Sequence, residues 1–184
     1  MSRIRIVGGE WRSRLIDVST VKGLRPTPDR VRETLFNWLG QDLRGKSCLD
    51  LFAGSGALGF EAASRGAAEV LMVEQDAALA ASLRGLKDKL KADAVRVQLG
   101  DGVAALNAQA PGSADLVLLD PPFDAAALFA PALAAAARTV RADGFVYLEA
   151  PQAWDDAALA ESGLRLHRHL KAGAVHAHLL RRSA

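Results

Sequence analysis

The 184-residue chain predicts an α/β fold: a mostly parallel sheet with helices on both faces, ending in an antiparallel hairpin. Three observations predict it. Apolar runs of strand length alternate with segments of helical period between residues 47 and 149. A glycine-rich link joins the first such run to the helix after it. The tail then breaks the alternation, with two strand-like runs joined by Lys171-Ala172-Gly173.

Residues 1–27 contain Gly8-Gly9, Gly23 and Pro26 and alternate weakly at Ile4–Val7 and Leu15–Val18. They read as a small extension that forms a short hairpin, set apart from a main domain at 28–184. Thr27-Pro28-Asp29 reads as a helix start, with a capping hydroxyl, a proline at the first helical position and an acid in the first turn. Val31, Leu35, Trp38 and Leu39 share a helical face and Gly40 ends the helix. Arg30 and Arg32 fall off that face and remain available for phosphate. Strands are predicted at 47–53, 69–75, 94–99, 114–120 and 144–149. Helices are predicted at 57–66, 77–91, 102–109 and 125–140, the last interrupted near Pro131. Leu164–Leu170 and Ala174–Leu180 complete seven strands.

Composition is that of one globular domain, half hydrophobic and 24% charged. No apolar run reaches membrane-spanning length, and Met1–Arg5 lacks a signal-peptide core. Cys48 is the only cysteine and lies in a strand run, so it reads as a buried core residue in a cytoplasmic protein. Charge is unevenly placed. Residues 1–32 carry eight Arg/Lys against Glu10, Asp17 and Asp29, a net +5. Residues 165–184 carry five and no acid, again +5, while 33–164 is net −8. Basic ends around an acidic body suggest a polyanion held beside a separate pocket.

Asp50 through Gly59 runs from a strand into a helix, and Gly54, Gly56 and Gly59 match G-x-G-x-x-G. Glu74 follows at the next strand's end. Glycines permit close backbone approach, and an acid there binds ribose hydroxyls. Asp50 favours S-adenosylmethionine over a nicotinamide dinucleotide. A pyrophosphate would meet its negative charge, whereas the ammonium of a methionine moiety suits it. Asp101 can accept from an adenine amino group. Asp120-Pro121-Pro122-Phe123 ends the fourth strand, because two prolines cannot continue a ladder. Asp120 and the Pro121 carbonyl can accept both hydrogens of an exocyclic amine while Phe123 stacks on its ring.

These residues resemble a class I S-adenosylmethionine-dependent methyltransferase with the amino-methylating Asp-Pro-Pro-Phe motif. More narrowly, the chain resembles the bacterial guanine-N2 methyltransferases of 16S rRNA, which modify guanine-966. The resemblance rests on Arg5–Arg12, Gly23–Leu39, Asp50–Gly59 and Asp120–Phe123. It implies a Rossmann-like fold and methyl transfer to guanine N2 on 16S rRNA or an assembling small subunit. Asp50, Gly54, Ser55 and Gly56 would border the methionine part, Glu74 the ribose and Asp101 the adenine. Thr27 would close over the methionine end, unless it serves only as a helix cap. The target base must be splayed out of its stack. Two alternatives remain: another amino acceptor (adenine N6 or glutamine), and a non-catalytic RNA-binding module.

RNA contacts are expected from Arg5, Arg12, Arg14, Arg25, Arg30 and Arg32. Trp11 either stacks on an unpaired base or anchors the hairpin. His167, His169, His176 and His178 pair by spacing on strand faces, but lack a Cys or acid to complete a metal site. They read as exposed groups facing RNA or solvent, and no metal is expected. Lys87, Lys89 and Lys91 read as a helix C-terminus with favourable dipole placement. A monomer is expected.

Overall fold

A computed structural model describes residues 2–19, 21 and 23–184. Strands β1 (Ser2–Arg5) and β2 (Leu15–Val18) pair antiparallel as a hairpin. Helix α1 (Asp29–Trp38) leads to β3 (Ser47–Asp50), α2 (Ala57–Ser64), β4 (Glu69–Glu74) and α3 (Ala77–Leu90). Then come β5 (Val95–Leu99), α4 (Gly102–Asn107), β6 (Ala114–Leu119), α5 (Phe129–Thr139) and β7 (Val140–Ala150). A short α6 (Asp156–Leu159), β8 (Leu164–Ala172) and β9 (Val175–Arg182) finish the chain.

The seven-stranded sheet has the order β5-β4-β3-β6-β7-β9-β8. The first five strands are parallel, and β9 runs antiparallel between β7 and β8. The order reverses at β3 and β6, so β3 and β6 lie side by side at the switch where open α/β sheets bind ligands. One core packs the hairpin, α1, α2 and α3 against one sheet face. The other packs α4, α5 and Leu159 of α6 against the opposite face. Buried on both sides, the central strands are continuous apolar runs rather than alternating ones.

Several boundaries move for local reasons. A 3-10 turn at Ala126–Leu128 precedes α5, and Pro131 falls in the first turn of α5, where its missing N–H costs nothing. Helix α1 starts at Asp29 with Pro28 at the cap and no side-chain cap bond, so the Thr27 hydroxyl does not cap it. Helix α3 is capped by Asp76, which accepts from Leu79 N at 2.9 Å, and has Lys87 and Lys89 in its last turn. No helix among the described residues is long and apolar enough to cross a membrane.

Candidate active site

The C-terminal ends of the parallel strands carry carboxylates. Asp50 closes β3 and Glu74 closes β4. Asp101 follows β5, Asp120 follows β6 and Glu149 is the penultimate residue of β7. In register, Asp50 lies beside Leu118 and Leu118 beside Tyr147, so the next step of two residues sets Asp120 beside Glu149. Side chains two apart share a face, and Asp50, Asp120, Tyr147 and Glu149 therefore face one side of the sheet.

Asp50 is 1% exposed. Its Oδ2 accepts from Gly59 N at 3.0 Å, and its buried Oδ1 has no partner. Burial pushes its carboxyl up to about 7; Gly59 N–H pulls the other way, and Glu74 and Glu149 add to the rise. The link after it is glycine for steric cause: Gly56 has φ +84°, and a Cβ there would lie 2.7 Å from Phe60 and Leu83 carbons. Glu74 accepts from Gly54 N at 2.8 Å and from Asp76 N at 2.9 Å, which fixes it under the loop. Asp101 is exposed and caps α4 through Oδ2, at 2.7 Å from Ala104 N. Ser55 is buried in the same loop. These groups fit S-adenosylmethionine: an unpartnered carboxyl oxygen for a cation, fixed and free carboxylate oxygens for hydroxyls and an amine, and glycines that keep the loop backbone close.

At the neighbouring strand end, Pro121 is buried, Pro122 is exposed, and Asp120 and Phe123 are half-buried. Burial first, then the adjacent Glu149 carboxylate, holds Asp120 well above the ordinary carboxylate range. Sequence reasoning missed Glu149, which is 3% exposed, and Tyr147, whose hydroxyl donates to Glu149 Oε1 at 2.7 Å. A signal existed. Glu149 is an acid inside an apolar strand run near its C-terminal end, the same placement that singled out Asp50.

The N-terminal hairpin is fastened to the C-terminal half of α2. Glu61, fully buried, accepts from Val7 N (3.1 Å), Gly8 N (2.8 Å), Arg32 Nη1 (3.1 Å) and Arg65 Nε (3.1 Å). Ser64 accepts from Glu10 N and Trp11 N, and donates to Gly8 O. Gly9 has φ +76°, and a Cβ would sit 1.9 Å from Ser64 O.

Two expected RNA contacts are corrected here. Arg32 is 1% exposed and bonded to Glu61, Asp29, Thr27 O and Arg5 O, so it is not available for phosphate. Trp11 is buried in the hairpin core, so it anchors rather than offers a stacking face. Arg5, Arg12, Arg14, Arg25 and Arg30 are exposed. Thr27 is buried in the segment that carries Leu24 over Gly54.

The histidines also depart from expectation. A bulge between Leu166 and Arg168 breaks the alternation, setting His167 against Phe145 and His169 against His176 and His178. His178 is fully buried rather than exposed; its Nε2 accepts from Trp154 N, its Nδ1 lies 3.0 Å from Leu148 O, and burial lowers it to about 4.

Residues 4–181 match the model of a family described as Conserved hypothetical protein 95. The chain is 49% identical to Ribosomal RNA small subunit methyltransferase D of Escherichia coli over 121 residues, 66% of this chain and 61% of that protein. The protein of the same name from Haemophilus influenzae is 43% identical over 65% of this chain and 64% of its own length. The chain thus spans somewhat under two thirds of these curated relatives in alignment. Among solved structures, that of the Escherichia coli protein yhhF superposes with a TM-score of 0.81 at 35% identity, covering 98% of each chain.

Proposed function

Because the chain belongs to the Conserved hypothetical protein 95 family, we propose that it is an S-adenosylmethionine-dependent methyltransferase acting on the exocyclic N2 of guanine in 16S rRNA. By the resemblance, the nucleotide is guanine-966. The substrate would be 16S rRNA or an assembling small subunit in the cytoplasm. The observation that carries the reading is the unpartnered buried oxygen of Asp50 beside the glycine loop, one strand from the Asp120–Phe123 turn. The named relatives support the substrate class.

In this reading Asp50, Gly54, Ser55 and Gly56 hold the methionine end, with Thr27 closing over it, Glu74 the ribose and Asp101 the adenine. The cofactor supplies an electrophilic methyl group on a positively charged sulfur. The chain supplies orientation. The guanine amine is a poor nucleophile because its lone pair is delocalised into the ring. Asp120 and the Pro121 carbonyl accept its two hydrogens, aim the nitrogen and favour charge build-up on it. Pro122 stiffens the turn, and Phe123 stacks on the base. Alignment of the nitrogen with the methyl group lowers the barrier further. We assign residues 1–27 to an RNA-facing arm, with Arg5, Arg12, Arg14, Arg25 and Arg30 meeting phosphates.

Mass spectrometry of 16S rRNA from cells lacking the gene, with and without complementation, tests the acceptor. N2-methylguanine is expected to vanish and return. A methyl found on adenine N6 or on protein overturns the guanine assignment. Asp120→Ala is expected to keep cofactor binding and cut the methylation rate about a hundredfold, the scale of one transition-state contact. Full turnover in the folded variant refutes the role of Asp120.

A further inference from the structure

Asp120 does not stand alone at its strand end. Glu149, 3% exposed, lies beside the half-buried Asp120 on the next strand, and its charge adds to burial in holding the Asp120 carboxyl above the ordinary range. A carboxylate has no donor, so two carboxyls can bond only by sharing a proton. The Tyr147 hydroxyl occupies Glu149 Oε1 from the other side at 2.7 Å. Glu149 is therefore tied between a donor that stays protonated and the residue that would face the substrate amine.

We infer that Glu149 is a positioning residue for methyl transfer: through a proton shared with Asp120 it fixes that side chain and takes up the proton the amine releases. This rests on the methyltransferase reading above. The bond that forms joins the amine nitrogen to the methyl carbon. The carbon–sulfur bond breaks, and its electron pair stays on sulfur. The surplus N–H proton passes to the free oxygen of Asp120 while the proton between the carboxyls moves onto Glu149. The amine ends neutral and methylated. The pair ends with two protons and returns one to water before the next turnover.

The surroundings suit this use. On the same face Asp50 of β3 adds negative charge near Asp120, and Glu74 of β4 acts on Asp50. On β9, Ala177 stands beside Glu149, and His178 turns to the opposite face to bond with Trp154 N. Arg32, Glu61 and Arg65, the buried charges of α1 and α2 and the residue after α2, are bonded to one another. Among the described residues no buried cation is thus paired with Glu149, and a shared proton is what lets two carboxyls lie together.

The test begins with the protein alone. Carboxyl carbon-13 titration should show Asp120 and Glu149 titrating together in two well-separated steps, as a coupled pair. In Glu149→Gln the upper step should disappear and Asp120 should titrate once, at lower pH. In kinetics, wild-type kcat should fall as pH rises through the upper step, because two facing carboxylates repel and displace Asp120. Glu149→Gln should lose that basic limb and drop kcat about tenfold or more, with KM for RNA unchanged. A lone, ordinary titration of Asp120 in the wild type overturns the proposal whatever the acceptor. So does a folded Glu149→Gln protein with wild-type kcat and pH profile. A methyl located elsewhere than guanine overturns only the acceptor, because the two-step titration is read without RNA.

Discussion

Glu61 and Asp50 are both buried carboxylates that touch α2, two residues apart in their points of contact, and their surroundings are opposite. Glu61 belongs to α2 and receives two guanidinium groups and two backbone N–H groups. Asp50 receives Gly59 N of α2 on one oxygen, and its other oxygen has no partner. A satisfied buried acid holds structure together. An unsatisfied one raises the free energy of the fold and lowers it again when a cation arrives. One helix thus carries a clamp toward its C-terminal end and meets an unpartnered carboxyl toward its start.

The largest effect should come from breaking the clamp. Glu61→Ala leaves Arg65 buried without its anion and Arg32 with Asp29 alone, and should cost about 3–5 kcal/mol of stability. Chemical denaturation checks this, and a loss near zero would dissolve the contrast. The Asp50 side of the comparison is sharpened by pH. Asp50 is moved from 3.8 to about 7. Between those values the folded chain keeps a proton that the unfolded chain has released, so its contribution to stability falls as pH rises through that window. Asp50→Asn should remove that slope and weaken cofactor binding by about 1.5–3 kcal/mol, the range for a charged hydrogen bond. Calorimetry in two buffers should also find a proton released when wild type binds cofactor near pH 6, and none from this site in the variant. The smallest effect concerns the arm. Arg12→Ala and Arg14→Ala should each flatten the log–log salt dependence of RNA affinity by up to about one unit, leaving cofactor binding alone. An unchanged slope would leave the hairpin as a brace only.

The contrast also marks what could be read from sequence. Period and punctuation are local, so the βα alternation, the glycine link and the stop at Pro121 were legible. So were Asp50, Glu74, Asp101 and Asp120, because a strand end is fixed by the chain around it. Arg32 was misread because its partner Glu61 lies 29 residues away on another helix. Helical period places Arg32 off the apolar face, and nothing local says that a buried anion waits there. Trp11 was undecided for the same reason, since its anchoring partner Ser64 is 53 residues on. Glu149 escaped notice because its meaning comes from Asp120, a neighbour across strands rather than along the chain.

The stitching of the hairpin to α2 has a consequence for the order in which the chain folds. A ribbon of two four-residue strands is marginal in water by itself. Its backbone donors Val7 N, Gly8 N, Glu10 N and Trp11 N all bond to Glu61 or Ser64. The hairpin therefore has to wait for residues more than fifty positions later. During synthesis, at roughly 5–20 residues per second, that wait lasts several seconds. The hairpin is made before α2 and settles after it, when α2 has formed and offers it a seat.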